Sequence, residues 1–70
     1  MIGERIKKQR EFIEVTQQEL AKEAKLSQEC ISQIESGVRK PSIGSLERIL
    51  SAIGLKMIIV SKTFKEHYEL

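Results

Sequence analysis

The stretch TQQELAKEAKLSQECISQIESG, residues 16–37, holds two helix starts and two helix stops in very little chain. Thr16 with Glu19 at the third following position is a capping box, in which each side chain accepts the other residue's free backbone N–H. Leu20, Ala21 and Ala24 then make a narrow apolar seam, and its alanines let another helix approach closely. The connection at Lys25–Leu26 is tight. Ser27 is an N-cap for a second short helix, and Gly37 lies just past that helix's end.

The second of these helices separates into two faces. At about 100° per residue, Gln28, Glu29, Ser32, Gln33 and Ser36 share one arc of roughly 140°. Cys30, Ile31 and Ile34 fall opposite and face a core. The arc is rich in side chains that hydrogen-bond without carrying charge. Gln holds a donor and an acceptor and pairs bidentately with N6 and N7 of adenine in the major groove; Ser bonds to several bases, and Glu accepts from the cytosine amino group. Taken alone, such a face is more often only solvated. The flanking order, a capped helix, a short turn and a second short helix, is the helix-turn-helix layout and favours reading over solvation.

Outward from this unit the pattern stays helical. Ile2, Ile6, Arg10 and Ile13 recur at helical spacing over residues 2–14, with an arginine on an otherwise apolar stripe. VRKP is a loop, Ser42 caps a further helix, and Leu46, Ile49, Leu50 and Ile53 give it an apolar face that ends at Gly54. LKMIIVSK, residues 55–62, is short, β-branched and follows a glycine, so it reads as a strand rather than as a continuation of the helix. A strand needs a partner for its backbone, and the sequence shows no second one. The expected partner is the same strand of another copy, paired antiparallel about a two-fold axis. Residues 63–70 are polar apart from Phe64 and Tyr68 and carry no clear signal. The expected division is thus 1–54 for the helical domain, 55–62 for the dimerisation strand and 63–70 for a tail.

Composition sets the boundaries. Seventy residues make one domain with a thin core, which a second subunit would extend. Cys30 is the only cysteine and His67 the only histidine, so no disulfide, metal cluster or cofactor is expected. The chain has no Asp and no glycine-rich phosphate loop, and no catalytic constellation can be assembled. A net charge of +2 is too mild to announce nucleic acid by itself. No apolar run spans a bilayer and MIGERIKKQR lacks a signal-peptide centre, so a cytoplasmic location is expected. Cys30, on the core-facing side, reads as buried filler rather than as a redox sensor.

Residues 16–54 resemble the helix-turn-helix of the Cro and lambda-repressor class of regulators. The resemblance rests on Thr16-Gln17, Glu19-Leu20-Ala21, Leu26-Ser27, Ile31-Ser32, Glu35, Gly37, Pro41-Ser42 and Gly54. It implies a mainly α, compact four- to five-helix domain, dimeric on a palindromic double-stranded DNA site, with the third helix in the major groove. Gln28, Glu29, Ser32 and Gln33 would meet base edges; Gln17, Ser27, Arg39 and Lys40 would meet phosphates. Arg10 and Glu35 would form a structural ion pair. Lys25 departs from the family's glycine at the inter-helix turn, and Glu29 would bring negative charge toward phosphates.

The segment GLKMIIVSK resembles the C-terminal strand of HipB-type antitoxins, which repress their own operon and bind a toxin protein. That likeness puts Leu55, Met57, Ile58, Ile59 and Val60 at a homodimer interface and makes a cognate toxin the further partner. Phage-type repressors, restriction-modification controllers and a protein-interaction adaptor that has lost DNA binding are the alternatives.

Overall fold

Four helices follow the starts and stops written in the sequence. The computed structural model describes residues 1–60 and 67–69. Helix α1 spans Ile2–Phe12, α2 Gln17–Ala24, α3 Gln28–Ser36 and α4 Ile43–Ala52. The capping box is closed both ways: the Glu19 N–H donates to Thr16 Oγ1 at 3.0 Å and the Thr16 N–H to Glu19 Oε1 at 2.9 Å. Ser27 Oγ accepts from the Cys30 N–H at 3.0 Å, and Ser42 Oγ from the Ser45 N–H at 3.1 Å.

All four helices also stop alike. A left-handed residue is followed by an apolar one whose N–H bonds back across the last turn, as in the Schellman motif. The pairs are Glu14–Val15, Lys25–Leu26, Gly37–Val38 and Gly54–Leu55. Glycine takes the last two turns without strain. Lys25 at φ 57° and Glu14 at φ 60° each cost about 1 kcal/mol instead. The Lys25 turn is the one expected to depart from glycine; the one at Glu14 has no signal in the sequence.

Ile6, Leu20, Ile31, Ile34, Ile49 and Ile53 are fully buried and define the core, with Ala21, Ala24 and Leu50 beside them. Helix α2 packs on both α3 and α4. On α1 the buried line is Gly3, Ile6 and Arg10; Ile2 and Ile13, the ends of the expected apolar stripe, are 43% and 38% exposed. Gly3 explains the shift. A Cβ there would collide with the Ile34 carbonyl oxygen and lie 2.8 Å from that of Glu35, so α1 rests directly on the last turn of α3.

Beyond Gly54 the strand forms over a shorter span than expected. Strand β1, Ile58–Val60, pairs antiparallel with β2, His67–Glu69, in the register Ile58–Glu69, Ile59–Tyr68 and Val60–His67. The tail therefore supplies a second strand that the sequence did not reveal, because three residues are too few to show a two-residue period. Leu55 and Met57, expected at a subunit interface, are half-buried and lean on the chain's own core. Ser61 and Lys62 of the expected strand lie outside the described residues, as do the side chains of Ile59 and Val60 and most of the tail. A fifth helix is not among the described residues. No helix of the described residues is long and apolar enough to cross a membrane.

Candidate nucleic-acid interface

The site is built on a buried ion pair. Arg10 Nε donates to Glu35 Oε2 at 2.7 Å and Nη2 to Oε1 at 3.0 Å, a bidentate fork. Arg10 Nη1 donates to the Val15 carbonyl at 2.8 Å. Both side chains are almost wholly buried, at 9% and 2% exposure. The hydrogen bond to Glu35 raises the Arg10 pKa further above its already high value, against the opposing effect of desolvation. The guanidinium thus stays charged and ties α1 to the inner side of α3.

Gln17 joins this network. Its Nε2 donates to Glu35 Oε1 at 3.1 Å, so the side chain expected at a phosphate has one donor engaged inside the protein. Glu35 therefore accepts three hydrogen bonds, and α1, α2 and α3 meet at one carboxylate.

The outer side of α3 is the arc that the residue spacing describes. Gln28, Glu29, Ser32 and Ser36 are exposed and Gln33 is half-buried. Gln33 Nε2 donates weakly to Glu29 Oε1 at 3.4 Å, and Ser36 Oγ to the Gln33 carbonyl at 3.1 Å. Among the described residues the exposed side chains of Gln28 and Ser32 make no hydrogen bond, so their donors and acceptors are open to a partner. Ser27, expected at a phosphate, spends its oxygen on the α3 cap.

Arg39 and Lys40 stand exposed on the loop after α3. Arg39 Nη1 lies 3.5 Å from Cys30 Sγ, which holds the guanidinium against the first turn of the helix. Cys30 itself is half-buried against the core. Among the expected interface residues of the C-terminal segment, Ile58 is 50% exposed.

Two residues beside the site went unread in the sequence. Arg48 of α4 donates from Nε to the Ala24 carbonyl at 2.9 Å and caps the end of α2 just before the inter-helix turn. Lys7 of α1 lines a shallow groove with Gln17, Ser32, Glu35 and Ser36. Its spacing of one helical turn before Arg10 places both on the side of α1 that faces α3, and this was the available signal.

With this geometry established, known proteins can be compared. The chain is 34% identical over 61 residues to the uncharacterized HTH-type transcriptional regulator y4dL of Sinorhizobium fredii (strain NBRC 101917 / NGR234). The match covers 87% of this chain but 31% of y4dL, so the chain spans about a third of that relative's length. The fold is similar to a crystal structure of SinR, the master regulator for biofilm formation, in complex with DNA. There the TM-score is 0.73 and the identity 34%, covering 79% of this chain and 89% of the other. The helix-turn-helix family model HTH_3 matches residues 6–59, which takes in all four helices except the first turn of α1. The chain belongs to this helix-turn-helix family.

Proposed function

We propose that this chain is a sequence-specific, DNA-binding transcriptional regulator that lays α3 in the major groove. The observation that carries the reading is the division of α3. Its inner side is locked by the buried Arg10–Glu35 pair, while its outer side offers Gln28, Glu29 and Ser32 to solvent with Gln33 half-buried beside them. A rigidly held helix with an outward amide-rich face meets the geometric demand of base reading, which tolerates little misplacement. The likeness to SinR, solved in complex with DNA, supports the same conclusion.

In this reading Gln28 and Gln33 discriminate bases, Ser32 and Glu29 assist, and Arg39 and Lys40 hold phosphates and fix register. Gln17 adds its second amide hydrogen and its backbone N–H at the start of α2. The regulator acts in the cytoplasm as a homodimeric repressor on a palindrome whose half-sites are centred about one helical turn, ~10 bp, apart. Each strand of the β1–β2 hairpin has one edge unpaired among the described residues, which supports edge-to-edge joining of two copies. The hairpin also favours the autorepressing antitoxin among regulators of this layout, with a toxin protein as second partner.

Affinity selection of genomic fragments tests this, run beside a Gln28→Ala, Gln33→Ala double variant. A palindrome recovered by the wild type and lost by the variant is the expected result. A toxin gene beside the recovered site is expected for an antitoxin. Recovery of nothing beyond background by either protein replaces the reading with the adaptor. Sedimentation of Ile58→Lys tests the dimer: monomers are expected, and an unchanged dimer removes the strand from the interface.

A further inference from the structure

Lys7 and Lys8 are sequence neighbours on α1, yet the structure sends them to different places. Lys8 lines a groove with Arg5, Gln9, Phe12 and Leu55, on the side of α1 near the C-terminal segment. Lys7 lines the groove shared with Gln17 of α2 and with Ser32, Glu35 and Ser36 of α3. Among the described residues Lys7 makes no hydrogen bond or ion pair.

Glu35, which lines the same groove, does not neutralise it. Its carboxylate is matched by Arg10 through two hydrogen bonds and is further engaged by Gln17. The exposed Lys7 is therefore the charge in the groove that no described carboxylate pairs, and it is open to an anionic group from outside.

The position of the groove relative to the exposed face of α3 says which group. Glu35 lies just beyond one edge of that face, on the side where α1 packs, with Ser32 inside it and Ser36 near its middle. Cys30, which holds Arg39 at 3.5 Å, lies along the other edge. Lys7 and Arg39 thus stand on opposite flanks of the same helix face. A helix lying in the major groove has one sugar-phosphate backbone on each flank, the groove being about 12 Å wide.

We infer that Lys7 holds a backbone phosphodiester of DNA on the flank of α3 opposite Arg39, so that the reading helix is clamped between the two strands. This rests on the DNA-binding reading above. It adds a contact that neither the spacing of the sequence nor the family resemblance assigned. The contact positions the helix and carries no base preference.

The test is a salt titration of binding to the selected operator and to an unrelated duplex of equal length. Wild type, Lys7→Gln, Lys7→Arg and Lys8→Gln are compared. Lys7→Gln is expected to flatten the slope of log affinity against log salt by about 0.9 per protomer, about 1.8 for the proposed dimer, on both duplexes. Between roughly 50 and 200 mM salt, the affinity of the dimer then falls about 12-fold less than that of the wild type. Lys7→Arg keeps the wild-type slope, and so does Lys8→Gln, which changes net charge equally but lies in the other groove. A wild-type slope in Lys7→Gln overturns the inference. An equal flattening in Lys8→Gln overturns it as well, by assigning the effect to net charge alone. Absence of salt-dependent binding by the wild type is a separate outcome: it defeats the DNA-binding reading itself, and the inference with it.

Discussion

Helix α3 carries two glutamates, Glu29 and Glu35, whose surroundings are opposites. Glu35 is buried, accepts two bonds from Arg10 and one from Gln17, and joins three helices. Glu29 is exposed and holds only a long contact to Gln33. The same side chain serves architecture on one side of a helix and is available for recognition on the other. Buried charge must be matched, and once matched it is rigid. An exposed polar group keeps its hydrogen-bonding capacity for a partner.

The sharpest way to break the contrast is to unpair the buried member. Glu35→Ala or Arg10→Ala should cost about 3–5 kcal/mol in urea unfolding, because each leaves a buried charge without its partner. The double variant Arg10→Met, Glu35→Leu should recover most of that loss while keeping the fold. A single variant as stable as wild type would show that the pair does not hold α3.

Gly3→Ala acts on the same junction from the backbone side. Its methyl group would meet the carbonyl oxygens of Ile34 and Glu35 and force α1 away from α3. A loss of about 1–3 kcal/mol in thermal or urea unfolding is expected, as for other overpacked contacts. Gly44→Ala is the control, since the nearest atom to an added Cβ there is Arg48 Nη1 at 3.8 Å.

On the exposed side the effects should move from stability to binding. Gln28→Ala or Gln33→Ala should lower affinity for the preferred site by about 1–3 kcal/mol and barely change binding to other sequences. Unfolding of these variants, and of Glu29→Gln, should stay within about 0.5 kcal/mol of wild type. Equal weakening on every sequence would count against base reading.

The smallest effect concerns a third glutamate. Hydrogen bonds from the backbone and side chain of Thr16 lower the pKa of Glu19. A carboxylate with a depressed folded value contributes stability above its unfolded pKa, near 4.3, and loses it as pH falls through the folded value. The stability gap between wild type and Glu19→Gln should therefore narrow on acidification below about pH 4. A gap independent of pH would leave the capping box without a charge component.

How much of this was legible differs along the chain. The capping box at Thr16, the caps at Ser27 and Ser42 and the glycine stops at Gly37 and Gly54 are properties of a few contiguous residues. Their backbone requirements show in the residue types themselves. The polar arc of α3 was equally readable, since helical periodicity alone sorts its faces. Arg10 on an apolar stripe marked itself as an anomaly, and its match to Glu35 came through resemblance.

Other features had no local sign. Glu14 adopts the left-handed stop although nothing about a glutamate asks for it. Gly3 looks like an ordinary helix residue until α3 is placed against it. The β2 partner of β1 lies in a tail without periodicity, and Arg48 reaches Ala24 from a different helix. The sequence by itself determined the starts of α2, α3 and α4, the glycine stops of α3 and α4 and which side of α3 faces out, because those depend on short-range hydrogen bonding and periodicity. Only the tertiary structure decided which carboxylate is buried, which glycine touches a neighbouring helix and which lysine lines the groove beside α3. Those depend on distances between residues far apart in the chain, which no local spacing encodes.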